Sequence, residues 1–167
     1  MAADCFRGCL VAIGLHLLAA SSHAETLCGR VVGITDGDTL TVLDSSNRQH
    51  KIRLMGIDAP EHNQPFGERS KESLATLVFG KTVAVEWRKK HRERLIGKVT
   101  VDGIDANLEQ IKAGMAWWYE KYRKEQSPAD QRLYAEAEQQ ARVVKVGLWL
   151  DAGPVPPWEW RSAQRTR

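Results

Sequence analysis

Several short stretches of the chain alternate apolar and polar residues with the two-residue period of a half-buried strand. Five segments read as strands: Cys28–Ile34, Thr39–Leu43, Gln49–Met55, Thr82–Trp87 and Leu95–Val101. Thr35–Asp38 and Asp44–Asn47 fall between the first three as hairpin turns. Elsewhere the period lengthens to that of a helix. Glu68–Phe79 carries Leu74, Leu77 and Val78 on one face and stops at Gly80. Asn107–Gln110 resembles a capping box and opens a short helix with Leu108 and Ile111 inward, ending near Gly114. Ser127 and Pro128 set an N-cap and a first-turn proline for a helix that places Leu133, Ala137, Ala141 and Val144 on one side and ends at Gly147. From about residue 151 the chain is expected to run as an extended tail containing Pro154, Pro156, Pro157, Trp158 and Trp160. Strands with helices between and after them predict an α+β fold.

The 167 residues suit one domain, with no internal repeat. Residues 1–24 are expected to stand apart from it. Cys9–Ser21 is almost wholly apolar, Arg7 precedes it, and Ser22-His23-Ala24 follows as a small-residue junction. That is the layout of a secretory signal cleaved after Ala24, too short to span a bilayer as a stable helix. Residues 25–167 would then form the functional domain, exported to the periplasm or medium, with no stable membrane association. The net charge of +3 permits a polyanionic partner without demanding one. Cys5 and Cys9 leave with the signal, so Cys28 remains alone, without an intramolecular disulfide and expected as a small core residue.

Candidate chemistry gathers where strands end. Asp36-Gly37-Asp38-Thr39 alone is an ordinary turn signal, and Asp58-Ala59-Pro60-Glu61 alone is an ordinary polar loop. If their flanking strands lie side by side, Asp38 and Asp58 form half of an oxygen shell for Ca²⁺ or Mg²⁺. Arg53 alternates with Ile52 and Leu54 and so points away from their face, either into a structural ion pair or toward an anion. Pro60 stiffens the approach to Glu61. The stretch Arg88–Arg94 is strongly basic, which fits a solvated loop or a surface that draws in a polyanion. Trp117, Trp118 and Tyr119 are expected mainly in a core, and Trp158 and Trp160 are expected to pack on the barrel. His50, His62 and His91 share no metal spacing.

The Asp36–Thr39 and Arg53–Glu61 segments, with Arg94-Leu-Ile-Gly-Lys-Val99, resemble the motifs of the staphylococcal (thermonuclease) nuclease family. The likeness spans about residues 27–160. It implies a five-stranded OB-type barrel flanked by three helices. It also implies a calcium-dependent endonuclease that acts on DNA and RNA as a monomer and leaves 3′-phosphate ends. By that resemblance Asp38, Asp58 and the Ala59 backbone carbonyl are the Ca²⁺ ligands, with Asp36 and Thr39 supporting them. Arg53 and Arg94 are a paired phosphate clamp, Glu61 orients or deprotonates the attacking water or braces its loop, and Tyr122 lies near the nucleotide.

One departure stands out: family members carry Tyr-Gly before the second arginine, where this chain has Arg92-Glu93. Arg92 is expected to offer a further, salt-sensitive phosphate contact. Glu93 is expected to restrict the turn and to oppose phosphate beside Arg94. A non-catalytic nucleic-acid-binding barrel is the main competing class, and a calcium-dependent surface domain a weaker one. The joint presence of Asp38, Arg53, Asp58, Glu61 and Arg94 favours catalysis.

Overall fold

The computed structural model describes residues 25–166, so the expected signal segment, residues 1–24, lies outside the described residues. Strand β1 (Glu25–Asp36) is long and irregular. Its register slips between Val31 and Gly33 and again between Ile34 and Asp36, so it coils and pairs with two different neighbours. Its C-terminal part runs antiparallel to β2 (Thr39–Leu43), and Glu25–Arg30 runs antiparallel to a later strand, Thr82–His91. β2 continues by a hairpin into β3 (Gln49–Leu54). A two-residue strand, β4 (Ile57–Asp58), and helix α1 (Gly67–Val78) follow. Strands β5 (Thr82–His91) and β6 (Arg94–Val101) form the second hairpin. β6 then meets β3 in parallel through Lys51–Leu54 and Arg94–Gly97, which closes the order β3-β2-β1-β5-β6 into a five-stranded, mixed, OB-type barrel.

The chain continues through β7 (Ile104–Asp105), α2 (Ala106–Lys112), β8 (Trp117–Trp118), a 3-10 segment at Glu120–Glu125, α3 (Pro128–Val143), a second 3-10 turn at Gly147–Leu150 and α4 (Pro157–Arg165). β8 pairs with β4 and so ties the helical half to the loop carrying Asp58. Inward residues of alternate strand positions, among them Val31, Leu40, Val42, Ile52, Leu54, Val85 and Val99, form the core with Leu74, Val78, Ile111 and Tyr134 from the helices. A second cluster of Trp117, Ala141, Leu148 and Trp149 lies under α3, flanked by Trp158. Among the described residues no helix is long and apolar enough to cross a membrane.

Several expectations are corrected. The tail is not extended throughout: Pro157 takes the first turn of α4, giving four helices rather than three. Cys28 is exposed, because its position on β1 faces away from the barrel interior. The N-cap of α2 is Asp105, whose side chain accepts the Leu108 N–H, two residues before the expected Asn107. Asn107 is instead fully buried and bridges strands. The inward stripe of α3 is Tyr134 and Ala141, both buried, with Ala137 partly buried between them, whereas Leu133 and Val144 are exposed. That helix stops at Val143, with Lys145 in the left-handed region at φ 53°. The tyrosine wins the inward place because its ring fills the core while its hydroxyl reaches Asp105 Oδ2 at 2.9 Å. The basic stretch up to His91 is strand rather than loop.

Candidate active site

The turn Asp36-Gly37-Asp38 is held from behind. A side chain at Gly37 would collide with Ser70 Oγ of α1, and the Gly37 carbonyl accepts a hydrogen bond from Gln110 of α2 at 2.8 Å. The turn therefore presses on two helices, and Asp38 emerges buried at the head of β2. The Asp36 carboxylate accepts the Asp38 N–H at 3.1 Å. Thr39 donates its hydroxyl to Asp38 Oδ1 at 3.0 Å, and the Ala59 N–H donates to Asp38 Oδ2 at 2.7 Å. One hydrogen bond thus joins the two acidic segments. Asp58 is fully buried beside them, placed by the β4–β8 pairing.

Arg53 reaches both acids. Its Nη1 pairs with Asp38 Oδ2, and its Nη2 donates to Asp58 Oδ1 at 2.7 Å. Burial, aided by the carboxylates of Asp36 and Asp58, pushes the Asp38 carboxyl up to about 8, against the pull of Arg53 and the Ala59 N–H. Arg53 is held above its ordinary range: burial lowers it, but Asp38, Asp58 and Asp36 outweigh that. Burial thus disfavours the charged form of Asp38 despite the arginine beside it.

Around these residues lies a cleft of about 400 Å³. Asp36, Asp38, Thr39, Arg53, Asp58, Ala59, Glu61, Arg94 and Tyr122 all line it. Arg94, at the start of β6, makes no ion pair among the described residues, in contrast to Arg53. Arg92 is not in the lining. It sits exposed at the tip of the β5–β6 turn. The left-handed residue of that turn is Arg92, at φ 53°, and not Glu93. The strain expected at Glu93 thus falls one residue earlier, and Glu93 pairs with Lys90 at 3.5 Å instead of opposing the cleft.

Lys89, Tyr119 and Arg161 are among the lining residues that the sequence pattern did not single out. Lys89 closes one wall through an ion pair to Glu125 at 2.6 Å. Tyr119 lines the cleft and packs edge-on against Tyr122 at 4.9 Å between ring centres. Most unexpected is Arg161 of α4. Its Nη2 donates to Asp58 Oδ2 at 2.7 Å and its Nη1 to Glu61 Oε1 at 2.7 Å. Bonding to Asp58 and Glu61 raises its proton affinity still further. Only a helix following Pro156-Pro157, the same first-turn proline signal as at Pro128, could have hinted that residue 161 belongs here.

Could this constellation hold a divalent ion? Among the described residues no three Asp, Glu, His or Cys side chains close a metal shell by themselves. What is present is two buried carboxylates and the Ala59 backbone, whose carbonyl accepts no hydrogen bond among the described residues. Those are hard oxygen donors, of the kind that suits a hard cation that keeps several waters. The residues fit Ca²⁺ or Mg²⁺ as a partial shell.

Residues 51–151, more than half of the chain, match the family model described as "Staphylococcal nuclease homologue". The chain belongs to the staphylococcal nuclease family. A micrococcal nuclease of Shigella flexneri is 41% identical over 166 residues, covering 93% of this chain and 92% of that protein. Uncharacterized endonucleases of Haemophilus influenzae and Escherichia coli are 39% identical over 150 residues and 46% identical over 135. They cover 89% and 80% of this chain, and 80% and 84% of their own lengths. The family match begins after Asp36–Thr39 and ends before α4. In this nuclease-family chain, therefore, part of the acidic centre and Arg161 both lie outside the matched segment.

Proposed function

We propose that this chain is a calcium-dependent endonuclease that hydrolyses DNA and RNA to 3′-phosphate ends. The observation that carries the reading is the contrast between the two arginines. Arg53 is engaged by Asp38 and Asp58, organising them as one buried acidic centre, while Arg94 faces the same cleft without a carboxylate partner among the described residues. An acidic centre facing an uncommitted guanidinium suits a phosphodiester, with cation and arginine gripping different oxygens. The family membership and the named relatives support the same class of reaction.

Asp38, Asp58 and the Ala59 carbonyl would hold the ion. When bound, it supplies Lewis-acid polarisation of a phosphoryl oxygen and acidifies nearby water. Arg94 binds a non-bridging oxygen and stabilises the added charge of five-coordinate phosphorus. Glu61, about one-third exposed, orients a water and accepts its proton. Attack on phosphorus breaks the bond to O5′, whose electron pair leaves with the 5′ oxygen, and the phosphate stays on the 3′ side. Tyr122, half in solvent, gives a base a face to stack on, and Lys89 lies 5.8 Å from its ring centre. Arg92 contributes from the turn tip, at a distance from the chemistry.

The test is digestion of plasmid DNA and of RNA by the purified protein with calcium, then with excess chelator. Both substrates should be cut, and the chelator should stop cleavage. Intact substrates after long incubation with folded protein would leave a nucleic-acid-binding barrel in place of an enzyme. Magnesium should support less turnover, because its rigid octahedral demand suits a partial, backbone-containing shell poorly. We further propose export, with cleavage after Ala24. Protein recovered from periplasm or medium should show Glu25 as its first residue by mass spectrometry, and a product that keeps Cys9 would contradict this.

A further inference from the structure

We infer that Arg161 is a positioning residue of the cleft: it fixes the Glu61 carboxylate against Asp58 and weakens the hold of the acidic centre on its cation, so that α4 is a working wall of the site. The inference rests on the nuclease reading above.

Three observations carry it. The first is the contact itself. The Arg161 guanidinium spans two acids with different tasks, taking Asp58 through Nη2 at 2.7 Å and Nη1 at 3.2 Å, and Glu61 through Nη1 at 2.7 Å. Second, Glu61 has no other side-chain partner among the described residues. Its backbone is held by Gln64, but its carboxylate is directed by Arg161 alone. A carboxylate that must aim a water needs such a restraint, since a small misplacement of a reacting group costs heavily in rate. Third, α4 is anchored and does not drift past the cleft. Trp158, one turn before Arg161, stacks on Tyr119 at 5.2 Å with planes 3° apart. It also meets Trp117 edge-on at 5.7 Å. Just ahead of the helix, the Val155 carbonyl accepts a hydrogen bond from Gln64 at 2.6 Å, tying the entry of α4 to the loop that carries Glu61.

The charge has a second consequence. Asp58 already serves Arg53, and Arg161 adds another full positive charge on the same carboxylate. Two guanidinium groups against one ligand oppose a further cation there. Arg161 therefore trades cation affinity for an ordered Glu61. The two effects separate under substitution, because one needs only the charge and the other needs the fork.

The experiment compares Arg161→Met and Arg161→Lys with the full wild-type chain. It measures calcium affinity by titration calorimetry and, at saturating calcium, kcat and KM for DNA cleavage. Arg161→Met keeps the apolar stem and its packing but loses the charge. It should bind calcium roughly tenfold more tightly and cleave roughly tenfold to a hundredfold more slowly, with KM little changed. Arg161→Lys should return calcium affinity to the wild-type value yet leave kcat low, since one ammonium cannot reach both carboxylates in the same geometry. A thermal melt of each variant checks folding. Calcium affinity unchanged or reduced in Arg161→Met would overturn the inference, as would full turnover in either variant. If the wild type binds calcium but cuts nothing, the nuclease reading fails, and the calorimetric comparison still judges the role of Arg161 toward the cation.

Discussion

Arg94→Ala should lower the rate of nucleic-acid cleavage by roughly two or more orders of magnitude while leaving calcium affinity largely intact. Asp38→Ala should instead lose calcium affinity together with rate. The difference follows from where each side chain spends its charge. Arg94 makes no ion pair among the described residues, so its removal disturbs little in the resting protein and is felt when phosphate carries extra charge. Asp38 is buried within the acidic centre, bonded to Thr39, Ala59 and Arg53. Its loss strips a proposed ligand and leaves the Arg53 guanidinium with Asp58 alone. Glu61→Ala should resemble Arg94→Ala, with a rate loss of roughly two orders of magnitude and calcium binding largely kept. Single-turnover cleavage and calorimetry on the same preparations separate the two classes. Equal loss of calcium affinity in all three variants would contradict the division of labour between ligands, clamp and water-orienting group.

Asn107→Ala should cost about 3 kcal/mol of folding stability. Asn107 is completely buried at the start of α2. Its Oδ1 accepts the Val99 N–H at 3.0 Å, and its Nδ2 donates to the carbonyls of Met55 at 2.9 Å and Gly97 at 3.2 Å. The Gly97 carbonyl has another donor, the Met55 N–H at 2.8 Å. The Val99 N–H and Met55 carbonyl lose their amide partner, and each orphaned buried group costs about 1–3 kcal/mol. These are strand and strand-end groups where β3 and β6 close the barrel, so the loss falls on the closure itself. Urea unfolding should show the midpoint moving with an unchanged slope. A loss below about 1 kcal/mol would mean that water replaces the amide at this position.

Local chemistry along the chain determined much of this protein. Alternation in β2, β3, β5 and β6 reflects a pleat with one face buried, and a residue can reveal that face without knowing its partner. Ser127 and Pro128 start α3 because the cap uses groups within one turn. The acids at 36, 38, 58 and 61 and the arginines at 53 and 94 stand close enough in sequence for motif and strand order to suggest a shared site.

Distance along the chain, and the choice among neighbouring faces, belonged to the tertiary structure. Leu133 and Tyr134 offer stripes one residue apart, and only the core behind α3, with Asp105 waiting for a hydroxyl, selects the tyrosine. Asn107 reads as a cap from its own neighbours, yet it acts on strands that other parts of the chain bring to it. Cys28 looks like a core residue by type, and the side of a coiled β1 that it occupies puts it in solvent. The left-handed strain of the β5–β6 turn fell on Arg92 because His91 and Arg94 form the closing pair. Arg161 lies 103 residues from Asp58, joined to it by a helix whose place is set by aromatic packing around Trp158. Hydrophobic period and turn chemistry act within a few residues and can specify elements. The pairing of a guanidinium with distant carboxylates depends on where packing leaves an uncompensated buried charge, and that exists only once the barrel and its helices have closed together.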